Sequence, residues 1–330
     1  MLNVIQMGLG PIGCQLTQYL SQREGINIVG AVDPDPQKAA RDLGELAGLK
    51  KQLNITVAPR LDKDSGAVEA DTAILSTVSS IEEIEPQIKE AADFQLDVVT
   101  TCEELSYPWQ TYPECAARIN DYCRKRNTSC IGTGVNPGFL MDYLPSALTS
   151  VCEEVRHIKV ERIQDAAPRR KPFRDKIGAG LSKEEFNQNR DKIRHVGLPE
   201  SVYMISEAMG WELDRLTESM DPVLAETDLK NEGNMIPKGA VAGVEQIARG
   251  YVDEQEFITM VFKAAVGLEN SQERIHITGN PDFNSVIEGG VNGDTATSAI
   301  IVNAVRSIRA ARPGLRTMLD IPVPAYFSRL

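Results

Sequence analysis

Two groups of residues in this 330-residue chain have types and spacing suited to chemistry: a glycine turn able to hold phosphate, and carboxylates placed where strands should end. The first group is Gly8-Leu9-Gly10-Pro11-Ile12-Gly13. It follows the apolar run Leu2-Asn3-Val4-Ile5-Gln6-Met7 and precedes a helical stretch. In that context Gly8 permits a tight turn and Gly10 lets the backbone approach a pyrophosphate. Gly13 allows close packing of helix on strand, and Pro11 and Ile12 complete the turn at a helix N-terminus that faces the phosphates. A second apolar run, residues 26–32, ends at Asp33, 20 residues beyond Gly13. An acid at that distance accepts hydrogen bonds from the adenosine ribose. A glycine-rich surface turn beside a solvated aspartate is the bland alternative. The order strand, turn, helix, strand, acid points instead to a nicotinamide dinucleotide.

The second group is Thr101-Cys102-Glu103-Glu104-Leu105-Ser106-Tyr107-Pro108-Trp109. Glu103 and Glu104 there could set one carboxylate over the nicotinamide, where it would hold an ammonium, an iminium or a proton. The same two acids also suit the first turn of a helix. Next comes Gly132-Thr133-Gly134-Val135-Asn136-Pro137-Gly138-Phe139, a rigid turn in which Thr133 or Asn136 could bond a carboxamide. His195 ends a long loop as a possible substrate contact. Arg169-Arg170-Lys171 and Arg174 read as an anion site or, more simply, as a solvated charge run. Asp294 or Thr295 is a natural N-cap for the helical stretch that follows.

Certain elements must position these groups. Strand candidates at 2–7, 26–33, 72–77, 97–101 and 129–132 alternate with helical candidates at 12–23, 36–47, 81–93 and 110–126. Alternation of this kind predicts an α/β fold with a Rossmann-type doubly wound parallel sheet. Ligands of such sheets lie beyond the carboxyl ends of the strands. That rule gathers Gly8, Gly10, Gly13, Asp33, Ser76, Thr77, Cys102, Glu103, Glu104, Thr133 and Asn136 on one edge. Past residue 137 the texture changes. Residues 155–163 alternate like an antiparallel strand, 183–188 and 201–210 read as helices, and 256–268 and 273–279 read as two strands joined by a hairpin-like turn. The expectation is a dinucleotide-binding domain of 1–137 completed by 295–330, and a second α+β domain of 138–294 with an open, mainly antiparallel sheet for substrate binding and dimerisation. The helix over 295–306 should be buried on several sides.

Composition narrows the classes. Hydrophobic residues at 42% and charged residues at 25% are ordinary for a globular protein. A net charge of -12 argues against nucleic acid as a partner. No apolar stretch is long enough to span a bilayer, and a first strand beginning at Leu2 leaves no room for a leader, so a cytoplasmic location is expected. The six cysteines form no C-x-x-C and lie far in sequence from the three histidines, so neither a metal site nor a disulfide framework is expected.

Taken together, residues 8–13, 29–33 with Asp42-Leu43-Gly44-Glu45, 101–109, 132–139, 176–181, 195–201 and 290–297 resemble the 2,4-diaminopentanoate dehydrogenases and the related native amine dehydrogenases. That group lies in the dihydrodipicolinate-reductase-like superfamily. The resemblance implies NAD(P)H-dependent reductive amination of a ketone or aldehyde with ammonia, and the reverse oxidative deamination. It maps the catalytic carboxylate onto the Glu103-Glu104 pair, with Glu104 preferred. Tyr107, Phe139 and His195 are the substrate-contact candidates, and a homodimer is expected by analogy. True dihydrodipicolinate reductases carry a paired-histidine motif at the start of the substrate domain. The matching stretch here, residues 159–168, has none, which argues against reduction of a cyclic dicarboxylate. Asp33 would repel a 2′-phosphate, so NAD(H) is the expected cofactor, with NADP(H) admitted through Lys38 or Arg41. Two alternatives remain: an imine or carbonyl reductase that needs no free ammonia, and a non-catalytic dinucleotide sensor.

Overall fold

The computed structural model describes residues 1–193, 197–231 and 234–327. The chain divides into two compact units, Met1–Phe139 with Gly293–Leu330, and Leu140–Asn292.

The first unit begins β1 (Leu2–Met7), α1 (Pro11–Leu20), β2 (Ile26–Val32), α2 (Leu43–Leu46), β3 (Val57–Ala58), β4 (Thr72–Leu75), α3 (Ile81–Asp93), β5 (Asp97–Thr100), α4 (Pro113–Arg126) and β6 (Ser129–Gly132). The strands are short and apolar because both faces are covered, and β4, β5 and β6 are buried throughout. Helix α3 buries Ile81, Ile84, Ile88, Ala91 and Ala92, the spacing that turns one stripe toward a sheet. The helix expected over 36–47 forms only its last turn, α2. Ahead of it, Pro34, Pro36 and an Ala40 at φ +63° bend the chain into turns. Asp42 caps α2 by accepting from the amides of Gly44 and Glu45.

Between α3 and α4 sits Glu85, whose carboxylate accepts from Arg118 Nη2 (2.7 Å), Lys89 Nζ (2.6 Å) and Cys115 Sγ (3.0 Å). Arg118 dominates the effect, and the Glu85 carboxyl is held down at about 2.

The second unit runs α5 (Tyr143–Leu148), β7 (Glu154–Asp165), α6 (Lys171–Lys176), α7 (Lys183–Gln188), α8 (Leu198–Met209), β8 (Arg215–Leu224), β9 (Leu229–Asn231), β10 (Asn234–Ile236), β11 (Val241–Val252), β12 (Gln255–Ala265), β13 (Gln272–Asn280) and β14 (Phe283–Glu288). Six strands form a mixed, mostly antiparallel sheet in the order β14-β13-β7-β12-β11-β8, and β9 pairs with β10 apart from it. The hairpin expected across residues 269–272 is not formed. Strand β7 lies between β12 and β13, parallel to the first and antiparallel to the second. The expected run of solvated basic residues is corrected in part: Lys171 is exposed, but Arg169 and Arg174 are buried. Under this sheet Arg162, 2% exposed, pairs with Glu273 at 2.5 Å, and Gln164 and Arg162 both donate to the Val291 carbonyl.

The chain then returns to the first unit as α9 (Gly293–Ile308) and β15 (Gly314–Arg316). Strand β15 pairs with β6 and completes a seven-stranded parallel sheet in the order β15-β6-β5-β4-β1-β2-β3. Asp294 and Thr295, expected as caps, lie within the first turn of α9. Ser298, Ile301, Val302, Ala304, Val305 and Ile308 of α9 are buried. Helices α1 and α9 cover one face of this sheet and α3 and α4 the other, the doubly wound arrangement the alternation predicts.

Candidate active site

The glycine turn leaves β1 and enters α1. Gly8 has φ +86°, a region that favours glycine. A Cβ on Gly13 would lie 1.9 Å from the Gly8 carbonyl oxygen, so the turn closes only without a side chain there. A Cβ on Gly10 would meet nothing within 4 Å, which leaves open space beside that backbone. Gly10 is the N-cap of α1 and makes no side-chain cap bond, and Pro11 follows it. Pro11 carries no amide hydrogen, so the Ile12 and Gly13 amides are the ones this terminus offers to an anion. Two side chains brace the turn from below. Gln6 Nε2 donates to the Gly8 carbonyl (3.0 Å) and to Ser76 Oγ (2.9 Å), and Ser76 Oγ donates to the same Gly8 carbonyl (3.0 Å). Ser76 thus shapes the turn, and Thr77 Oγ1 donates to Gln87 Oε1 (2.8 Å).

Asp33 stands one residue past β2. Its Oδ2 accepts from the Leu9 amide (2.7 Å) and from Lys38 Nζ (3.0 Å), and its Oδ1 accepts from the Asp35 amide (3.0 Å). Burial alone would raise the Asp33 carboxyl. The Asp35 and Leu9 amides and the Lys38 ammonium more than offset that, and the group ionises below the usual carboxylate range. A cavity of about 530 Å³ opens here, walled by Gly8, Leu9 and Gly10, by Asp33, Pro34 and Lys38, and by Pro59, Arg60 and Leu61. These features fit the adenosine and pyrophosphate half of a nicotinamide dinucleotide. Arg41 is not in this wall and pairs with Glu45 at 2.5 Å.

The sheet order sets the remaining candidates along the same carboxyl edge. From Asp33 after β2 the edge passes Gly8 after β1, Ser76 after β4, the acids after β5 and Thr133 after β6. At about 4.8 Å per strand, β2 and β5 are roughly 14 Å apart, a span that an extended dinucleotide covers. Glu103 and Glu104 lie in a single 3₁₀ turn, Glu103–Leu105, and both are half-buried. Glu104 Oε2 accepts from the Ile81 amide (2.9 Å) and so supplies the α3 N-terminus with the bond that the Ser80 side chain does not make. Among the described residues, Glu104 has no cation within ion-pair distance. Cys102 is a packing residue: it is fully buried, its thiol donates to the Ser79 carbonyl, and burial pushes the thiol upward.

Thr133, Asn136 and Tyr107 are buried in the first unit and Phe139 is half-buried. The Val135 amide donates to Thr297 Oγ1 on α9, which ties the glycine-rich exit turn to that helix (3.2 Å). His195 lies outside the described residues. Sequence reasoning missed Gln6 and Arg60. A glutamine in the apolar, buried half of β1 was the available signal for the first. Arg60 follows a two-residue strand too short to show a pattern.

The fold and this edge define a dinucleotide-dependent oxidoreductase. The 2,4-diaminopentanoate dehydrogenase C-terminal domain family matches residues 139–329, more than half of the chain. The 2,4-diaminopentanoate dehydrogenase of Acetoanaerobium sticklandii is 34% identical, with 98% of this chain and 94% of that protein covered. An amine dehydrogenase of Streptomyces virginiae is 21% identical over 100% and 99% of the two chains. The solved amine dehydrogenase from Mycobacterium smegmatis shares the fold, with a TM-score of 0.86 at 22% identity over 100% and 98%. The chain belongs to the 2,4-diaminopentanoate dehydrogenase family.

Proposed function

We propose that this member of the family, an NAD(P)-dependent oxidoreductase acting on CH–NH2 groups, interconverts an amine and the matching ketone or aldehyde with release or uptake of ammonia. The observation that carries the reading is Glu104. It is a half-buried carboxylate fixed by the Ile81 amide at the carboxyl end of β5, with no cationic partner among the described residues. An uncompensated negative charge there stabilises cations, and this reaction generates them twice, as ammonium and as a substrate iminium. Glu104 is thus assigned to bind ammonium, assist loss of water and steady the C=N⁺ carbon, with Glu103 as its neighbour in the same turn. A reduced nicotinamide dinucleotide, held by its pyrophosphate on the glycine turn, would supply the hydride. Gly8, Gly10, Pro11, Ile12 and Gly13 would hold the pyrophosphate and Asp33 the adenosine ribose, while Thr133 and Asn136 are assigned to the carboxamide. Tyr107 and Phe139 are the substrate contacts.

NAD(H) is the proposed carrier, with NADP(H) accepted as well. The four buried, unbridged thiols Cys102, Cys115, Cys123 and Cys130 suit a reducing compartment, and the cytosol is the proposed location. A homodimer is proposed, since the six-stranded sheet has edge strands that could pair with a second copy.

The test is the ammonia dependence of NADH oxidation across a panel of ketones and aldehydes. Turnover that requires ammonium is expected. Turnover independent of ammonium would favour an imine or carbonyl reductase, and tight cofactor binding without turnover would favour a sensor.

A further inference from the structure

The end of the cofactor cavity carries a charge arrangement that the glycine motif does not predict. An acid that selects NAD(H) works by offering free oxygens to the ribose hydroxyls and by repelling a 2′-phosphate. Asp33 does neither fully. Three donors already occupy its two oxygens, its side chain is only 7% exposed, and Lys38 Nζ at 3.0 Å compensates its charge. The next strand supplies a second cation. Val32 on β2 lies opposite Ala58 on β3, and the Asp33 amide donates to the Ala58 carbonyl, so Arg60 emerges beside Asp33 and Pro34. Lys38 and Arg60 line the same cavity wall. The Arg60 side chain is 79% exposed, and its only ion pair among the described residues is a 3.4 Å approach to Asp62. Two acids also border the space, the paired Asp33 and Glu90 of α3. Asp35 stands 3.7 Å from Lys38.

We propose that Lys38 and Arg60 form a 2′-phosphate subsite, with Arg60 as the residue that determines how well NADP(H) is accepted. This deepens the dinucleotide reading above and rests on it. With NAD(H), Lys38 stays on Asp33 and the ribose hydroxyls meet the carboxylate edge. With NADP(H), the Lys38 ammonium turns from Asp33 to the phosphate and the Arg60 guanidinium closes on its other side. A phosphate dianion suits the fork of an arginine better than it suits a lone lysine.

The experiment compares binding, by titration calorimetry, of NADH, NADPH, 5′-AMP and 2′,5′-ADP to the wild-type chain and to Arg60→Ala and Arg41→Ala. Arg60 is exposed and its removal leaves the fold intact, so thermal unfolding serves as the control. The wild type should bind both dinucleotides. Arg60→Ala should weaken NADPH and 2′,5′-ADP about tenfold while leaving NADH and 5′-AMP within about twofold, the loss expected of one charge-assisted bond. Arg41→Ala should change none of the four. Equal weakening of NADH and NADPH in Arg60→Ala, or a wild type that binds NADH but not NADPH, overturns the subsite. A wild type that binds neither dinucleotide overturns the nucleotide reading itself, and the subsite with it.

Discussion

Asp33 and Glu104 stand at the ends of parallel strands in one sheet, and a backbone amide from another element fixes each of them. They differ in compensation. Asp33 is surrounded by donors, and Lys38 neutralises it; its main effect is to tie the end of β2 to the glycine turn through Leu9. Glu104 receives one amide from Ile81 and has no ion-pair partner among the described residues. The same residue class at the same kind of position can therefore hold a loop in shape or present charge to a ligand. The partners, not the acid, decide which.

The largest effect should come from removing the uncompensated charge. Glu104→Gln keeps the size of the side chain and an oxygen for the Ile81 amide. It should lower kcat/KM for amination by about 10²- to 10³-fold, while NADH affinity stays within about twofold. Full activity in this variant would erase the distinction. Asp33→Asn should act differently, because it leaves Lys38 with only the more distant Asp35 carboxylate and disturbs the turn. The NADH Kd should rise about tenfold and stability should fall by about 1–3 kcal/mol, with kcat less affected than KM. Glu104→Ala should add to the kinetic loss a stability cost of about 1 kcal/mol relative to Glu104→Gln, read as a lower Tm, because α3 loses the acceptor at its N-terminus.

Acid should show the smallest effect. The carboxyls of Asp33 and Glu85 ionise lower in the fold than they would in the unfolded chain. Their stabilising contacts are thus complete near neutral pH and are lost as the pH falls through the lowered values. For Glu85 the window runs from its ordinary 4.5 down to about 2. Unfolding midpoints measured across that range should fall less steeply in Glu85→Gln than in the wild type.

The parts of the molecule that could be read from sequence are those set by local pattern. Strands covered on both faces give mainly apolar runs, so β1, β2, β4, β5 and β6 were visible, as was α3 from its isoleucine spacing. The glycine turn, Asp33 and the paired glutamates follow the same logic, since each is a short segment at the end of such a run. What depends on non-local register was not visible. Strands β12 and β13 are neighbours in sequence but have β7 between them in the sheet. Strand β8, Arg215–Leu224, is polar and contains Pro222, as an edge strand can, and shows no buried stripe. The turn over residues 36–40 has helix-forming composition, but the prolines and Ala40 bend it back so that Lys38 reaches Asp33. The bond from Ile81 to Glu104 joins residues 23 positions apart and is equally invisible until the sheet brings β4 and β5 together.

The most direct test of the uncompensated carboxylate is a crystal structure of the protein with a nicotinamide dinucleotide and an amine product. The account predicts the Glu104 carboxylate facing the nicotinamide ring and within hydrogen-bond distance of the substrate nitrogen. Both glutamates turned toward bulk water, away from the ring, would contradict it.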